Sequence, residues 1–320
     1  MGLHQGQAWI EVVDRGAAVE ERRGVGVPVD VAHAGPVRGT VGKLHVLVAP
    51  AGADPLVAAT QAFPCALAGS LGGVPAVTTT PQSGADGSDV TVLYLHGGAF
   101  VFCGPGTHAR LCSSLAVHLD APVHAVRYRK LPEVDLAALI NEVYSAYRSL
   151  AGQLPAGHRI VVAGDSAGGF LAAKICELAA LDDVRAPAAM VGYSPLFDLD
   201  REVRDGSWFT RDAYQPAATL QRAQALWSRG PAGIRGERSM LEVDPEAFPP
   251  TLITLAAGEL VEDSAIALTE RLHAAGRTVE THRWYTAVHA FPVLDGLAPE
   301  SRRARELTVE FLRKTLPRVG

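Results

Sequence analysis

The sequence predicts an α/β protein built on a mostly parallel sheet flanked by helices, and three observations carry that prediction. From Val90 onward, short β-branched runs alternate with longer stretches of helical periodicity, the pattern of repeated strand–helix–strand units. Those runs are apolar almost without alternation, as strands become when helices cover both faces of a sheet. Two of them end in glycine-rich turns, His96-Gly97-Gly98 and Gly164-Asp165-Ser166-Ala167-Gly168-Gly169, where the backbone must approach a neighbour too closely for side chains.

Taken in order, residues 1–89 form an N-terminal segment with an early strand expected at Gly42–Ala49. The stretch from Pro50 to Asp89, rich in Ala, Gly, Pro, Ser and Thr, is expected to be irregular. Val90–His96 is the first buried strand, followed by a helix at Thr107–Leu119 and a strand at Pro122–Tyr128. A helix at Val134–Ala151 follows, with Leu136, Leu139, Ile140, Val143 and Tyr147 on one face. Strand Arg159–Gly164, helix Ala167–Leu181 and strand Ala188–Tyr193 complete the first block. Residues 198–247 carry no strand signal and hold Trp208, Phe209, Tyr214 and Trp227 among many charges, which reads as a helical lid inserted between two strands. The alternation resumes with strand Thr251–Ala257, helix Asp263–Ala275 and strand Val279–Tyr285. A last helix, Pro299–Leu316, starts on a proline that suits a first turn. The core is thus expected from 90–197 and 248–320.

Composition narrows the function classes. The 320 residues are 48% hydrophobic and 20% charged, which suits a globular protein with a large core. Lys and Arg number 29 against 34 Asp and Glu, a net charge of −5, so there is no basic footprint for nucleic acid or anionic membrane. No run reaches the ~18–20 apolar residues that a membrane helix needs, and the N-terminus lacks a secretory pattern, so a cytoplasmic protein is expected. Cys65, Cys103, Cys112 and Cys176 show no metal-finger or CxxC spacing, so no metal site is expected.

The chemistry concentrates on the two glycine turns. Ser166 sits where a strand turns sharply into a helix, which strains the backbone and projects the hydroxyl above the sheet edge. The helix N-terminus aims N–H groups at any oxyanion that forms there. A serine that merely caps the helix is the plainer alternative. The small residues of His96-Gly97-Gly98-Ala99-Phe100 would let backbone N–H groups line a pocket, about 70 residues before Ser166. His96 is expected to orient this loop rather than transfer protons.

These two motifs, with Tyr128-Arg129-Lys130-Leu131-Pro132-Glu133 matching a Tyr-Arg-x-x-Pro-Glu segment, resemble the bacterial hormone-sensitive-lipase-like esterases from about Val90 to Leu316; the N-terminal quarter matches poorly. The resemblance implies an α/β-hydrolase fold with a helical cap, hydrolysis of short- to medium-chain carboxylic esters, no cofactor, and a homodimer in some members. It also makes Gly97, Gly98 and Ala167 the expected oxyanion donors, with Ala99 replacing the family's third glycine.

A nucleophilic serine needs a base, and in such folds the order along the chain is serine, acid, histidine. His289, in Ala287-Val288-His289-Ala290-Phe291 just after a strand, fits that order and resembles the family's His-Gly-Phe with alanine in the middle. Of the acids, Glu259 lies 30 residues earlier, just after strand Thr251–Ala257. Glu262 and Asp263 compete, with Asp263 expected to cap the following helix. Asp165 points away from the nucleophile and is expected to be structural. Phe100, Trp208, Phe209 and Tyr214 are the candidate lining of an acyl pocket. A cysteine hydrolase through Cys103 or Cys112 is set aside because neither lies on an elbow. Other readings are a hydrolase or dehydratase acting on a natural-product ester or lactone, and a ligand-binding homologue, though the latter could discard His289.

Overall fold

The computed structural model describes residues 10–12, 66–81, 88–201, 217–228 and 233–317. Its sheet runs in the order β1-β9-β8-β7-β6-β4-β5-β3-β2. The central strands are β4 (Val90–Leu95), β5 (Val123–Val126), β6 (Arg159–Asp165), β7 (Ala189–Tyr193), β8 (Thr251–Ala256) and β9 (Val279–Trp284), all parallel. A three-residue strand, β1 (Ile10–Val12), lies parallel to β9 at one edge. At the other edge β2 (Ala66–Leu71) and β3 (Val74–Thr79) form an antiparallel hairpin.

Side chains alternate between the two faces of each strand, and two apolar layers result. Leu93, Leu95, Ile160, Val162 and Met190 pack on one face with helices α2 (Leu136–Gln153) and α3 (Ala167–Leu181). Helix α5 (Glu262–Ala274) covers the same face through Ala265, Leu268 and Leu272. Val92, Tyr94, Val161, Ala163 and Val191 pack on the opposite face against α1 (Pro105–Leu119) and α6 (Pro299–Thr315). Each fully buried leucine among these contributes about 1.5–3 kcal/mol relative to an exposed one. Strands β4 to β9 and the helices that cover them fall within two residues of their sequence-based bounds, and Asp135 caps α2 by accepting the Ala138 N–H at 2.7 Å.

The hairpin corrects the expectation that Pro50–Asp89 is irregular. In Ala66–Leu71 only the two end residues are buried and none is β-branched, so neither alternation nor propensity announces a strand. Gly72 and Gly73 turn the chain with φ of 57° and 84°, the positive values a two-residue hairpin loop demands. The strand expected at Gly42–Ala49 lies outside the described residues.

Strand order reverses between β4 and β6. The chain leaves β4 toward one side of the sheet and β6 toward the other, and the position beyond their carboxyl ends is where open α/β sheets usually bind ligands. Between β7 and β8 the chain makes the excursion read as a lid, which contains helix α4 (Ala217–Trp227). Its two ends meet at a bridge between Asp198 and Ser239, flanked by Leu199 N–H to Arg238 O and Met240 N–H to Phe197 O. A buried pair on α3 holds the returning chain: Lys174 Nζ lies 2.5 Å from Glu177 Oε2, and Glu177 Oε1 accepts the Glu237 N–H at 2.7 Å.

Candidate active site

Strand β6 passes into α3 through Ser166, whose φ of 50° and ψ of −120° lie in a region L-residues rarely occupy. Such a residue costs of order 1–3 kcal/mol and persists only where its surroundings over-determine it. Here they do. A Cβ on Gly168 would meet the Leu95 carbonyl oxygen at 2.0 Å, and one on Gly164 would meet the Gly168 carbonyl oxygen at 2.4 Å. The Ser166 N–H donates to Tyr193 O and its carbonyl accepts from Leu196, both at 2.9 Å. The Ser166 hydroxyl caps no helix N–H and makes no hydrogen bond among the described residues, so the capping alternative is excluded.

At the carboxyl ends of β8 and β9, His289 Nδ1 lies 2.8 Å from Glu259 Oε2, with both side chains buried. Glu259 Oε1 accepts the Ala256 N–H at 3.0 Å. Burial pushes the Glu259 carboxyl up from its ordinary value, against the pull of hydrogen bonds from His289, Ser194 and the Ala256 N–H. The competing acids are engaged elsewhere. Glu262 pairs with Arg283 and accepts the Gly258 N–H at 2.6 Å. Asp263 pairs with Arg201 at 2.6 Å, and the cap position is Val261, so Asp263 occupies the first turn of α5 without capping it.

Ser194 was not singled out from the sequence. It is fully buried after β7 with φ of 47°, its Oγ accepts the Ala290 N–H at 3.0 Å, and its hydroxyl also serves Glu259. One hydroxyl thus ties the acid to the backbone of the histidine loop. The only sequence signal is its place at the end of a strand, before Pro195. Ala290, standing where the family has glycine, takes φ of 52°.

The loop after β4 is held peptide by peptide. Gly97 N–H donates to Asp165 Oδ1 at 2.9 Å, and Gly97 O lies 2.8 Å from His96 Nδ1. Gly98 O accepts from Val101 and Phe102 at 2.9 and 2.8 Å. Because a trans peptide points its N–H opposite its C=O, these bonds turn the Gly98 and Ala99 N–H groups to the other side. Neither group, nor the Ala167 N–H at the start of α3, has an acceptor among the described residues. The Gly97 N–H expected as a donor is thus engaged by Asp165, whereas the Ala99 N–H is not. Gly98 has φ of 105°, and a Cβ there would meet Phe102 O at 2.5 Å.

Behind this loop lies a buried polar cluster. His96 stacks on Tyr128 with ring centroids 4.2 Å apart, and Tyr128 OH donates to His96 O at 2.6 Å. Burial pulls His96 down to about 3, so it is neutral, and its Nδ1 faces the Gly97 carbonyl of the loop. Burial alone would raise the Asp165 carboxyl, but His108, Tyr94 and the Gly97 N–H outweigh it and hold it below its ordinary value.

Phe100 is fully buried and packs edge-on against Phe170 and Trp227, at centroid distances of 6.0 and 5.7 Å. Trp208, Phe209 and Tyr214 lie outside the described residues. An open depression of about 860 Å³ on the hairpin side, with Gly72, Arg127 and Lys130 on its walls, includes none of the site residues. Cys103 is exposed while Cys112 and Cys176 are buried, and none stands on the elbow. No group of metal-ligating side chains occurs among the described residues, and no described helix is long and apolar enough to cross a membrane.

A family model described as the alpha/beta hydrolase fold matches residues 92–293. The chain is 35% identical over 241 residues to the carboxylesterase/phospholipase LipF of Mycobacterium tuberculosis, covering 72% of this chain but 63% of that relative, under two thirds of its length. It is 34% identical to the esterase LipU of the same organism, covering 72% of this chain and 80% of LipU. Among solved structures it is similar to an esterase from the bacterial hormone-sensitive lipase family, with 30% identity and a TM-score of 0.70 over 78% of this chain and 84% of that one.

Proposed function

The chain belongs to the α/β-hydrolase fold family, in its bacterial hormone-sensitive-lipase-like branch, and from that premise we propose that it hydrolyses carboxylic esters through Ser166, His289 and Glu259. The observation that carries this reading is the 2.8 Å bond between His289 and Glu259, formed beyond the same sheet edge as the strained Ser166.

A serine hydroxyl is too weak an acid to attack a carbonyl unaided. His289 Nε2 takes its proton as Ser166 Oγ bonds to the ester carbon. Glu259 holds the imidazole by Nδ1 and offsets its charge once it is protonated. The carbonyl oxygen becomes an oxyanion, which the N–H groups of Gly98, Ala99 and Ala167 receive. His289 then gives the proton to the leaving alcohol oxygen, and the acyl group stays on Ser166. Water then bonds to the acyl carbon while losing a proton to His289, and the acyl–Ser166 bond breaks as His289 returns that proton to Ser166 Oγ, releasing the carboxylic acid. The residues 198–247 are assigned as the cap over the acyl side, and short- to medium-chain acyl groups as the substrates.

Ser166→Ala should lower kcat on a short-chain p-nitrophenyl ester by on the order of 10⁴–10⁶-fold with the fold intact by circular dichroism. A fluorophosphonate probe should label Ser166 and no other residue. Wild-type rates from the purified variant, or labelling elsewhere, would reject the assignment.

A further inference from the structure

Behind the oxyanion loop, Asp165 Oδ1 collects three donors: the Gly97 N–H at 2.9 Å, the Tyr94 hydroxyl at 3.0 Å and His108 Nε2 at 3.0 Å. The other ring nitrogen of His108, on α1, is equally informative. Its Nδ1 faces Gly104 O at 3.2 Å and Thr107 Oγ1 at 2.8 Å. The Gly104 carbonyl can only accept. The Thr107 hydroxyl donates to that same carbonyl at 2.7 Å, and its oxygen accepts the Gly104 N–H at 3.2 Å. Toward His108, Thr107 therefore presents a lone pair. Nδ1 needs a hydrogen for its two neighbours, and Nε2 needs one for the carboxylate. A neutral imidazole carries only one.

We propose that His108 is held as an imidazolium and serves as a positioning residue of the ester site: its charge keeps Asp165 ionised, and Asp165 holds by the Gly97 N–H the loop that carries the Gly98 and Ala99 donors. The role rests on the ester chemistry proposed above; the charge state does not.

Near the pair, Cys103 is pushed up by burial and by Asp165 and bonds the Thr107 side chain, and Lys130 Nζ donates to Cys103 O at 2.7 Å. Tyr94 of β4 and His96 of the loop each face His108 at a ring-centroid distance of 5.8 Å. Burial, reinforced by Asp165, pushes Tyr94 well above its ordinary value, and burial holds His96 at about 3. Cys112, one turn further along α1, is pushed up by burial as well. On the α6 side, Arg305 pairs with Asp295 at 2.8 Å while touching Ser114. Burial would pull His108 down, but Asp165 and Gly104 O outweigh it, and its value is raised. The sign follows. The pair is complete below the ordinary histidine value and survives until pH passes the raised one. Above that, Asp165 is a buried anion without a counter-ion, and the loop loses its brace. Catalysis then falls on the alkaline side.

Two measurements test this. In ¹⁵N-histidine-labelled protein, the His108 ring signals, assigned by their loss in His108→Gln, should show both nitrogens protonated at pH 7.5, where free histidine (pKa ~6.5) is about nine-tenths neutral. A neutral His108 at that pH overturns the proposal without any variant needing to fold. In the ester assay, His108→Gln should lower kcat about tenfold with KM within twofold, a fraction of the ~10²–10³ that losing a donor costs. It should also lack an alkaline limb that wild type shows at the pH where the ring signals titrate. A kcat–pH profile that superimposes on wild type, or a uniform loss that keeps that limb, overturns the positioning role. Full activity in Ser166→Ala would instead reject the ester chemistry and leave the ring measurement to stand by itself.

Discussion

The two halves of the site are built by different forces. The half that holds Ser166, after β4 and β6, is shaped by backbone contact: Gly98, Gly164 and Gly168 sit where a Cβ would come within 2.0–2.5 Å of a carbonyl oxygen. The half that holds Glu259 and His289, after β7, β8 and β9, is held by side-chain hydrogen bonds: His289 to Glu259, and Ser194, Glu259 and Glu262 to backbone N–H groups. Steric demand admits one residue type, so the first half tolerates almost nothing. Hydrogen bonds admit several, so the second half degrades by steps.

The harshest way to break that contrast is Gly168→Ala. Its methyl would lie 2.0 Å from the backbone oxygen of Leu95, which cannot yield without moving β4. A loss of about 3 kcal/mol or more is expected, lowering Tm by ~6 °C or more in a domain of this size. A thermal melt within about 2 °C of wild type would show that the elbow relaxes and that the contrast is false.

Next comes the acid itself. Glu259→Gln should keep the fold but misdirect the imidazole tautomer, lowering kcat by about 10²–10⁴-fold. Asp263→Asn, at an exposed ion pair worth under about 1 kcal/mol, should leave kcat within twofold. Equal losses in the two would put the acid in doubt.

Ser194→Gly sharpens the comparison most gently. Glycine accepts φ of 47° without strain, so the backbone is preserved while the hydroxyl goes. We expect kcat about tenfold lower and KM within twofold. Because the Ser194 bond lowers the Glu259 carboxyl, its loss should also move the acid limb of kcat/KM to higher pH. An unmoved limb would make Ser194 a packing residue only.

The same division decides what the sequence discloses. Glycines forced by close approach stand out in a chain, so the elbow at Ser166 and the turn at Gly97-Gly98 are legible, as are the continuous apolar strands between covering helices. The acid is less so, because Glu259, Glu262 and Asp263 offer the same group within five residues, and only the finished loop shows which one reaches His289. The direction of a peptide is less legible still: the sequence marks Gly97 and Gly98 alike, yet Asp165 takes the N–H of the first. The hairpin escapes for another reason. An edge strand such as Ala66–Leu71, four of its six residues exposed, lacks the burial that writes a pattern into sequence.

The bridge between Asp198 and Ser239 separates two kinds of change. A segment that departs and returns through one neck costs the entropy of a longer loop, which grows slowly with length, and this one returns Ala223 and Trp227 to the core. Away from those two anchors, the stretch inside the neck can be lengthened, shortened or exchanged while β7 and β8 keep their register. With this segment as the proposed cap, substrate preference would drift, or be engineered, in a part of the chain whose rewriting leaves the proposed catalytic framework alone.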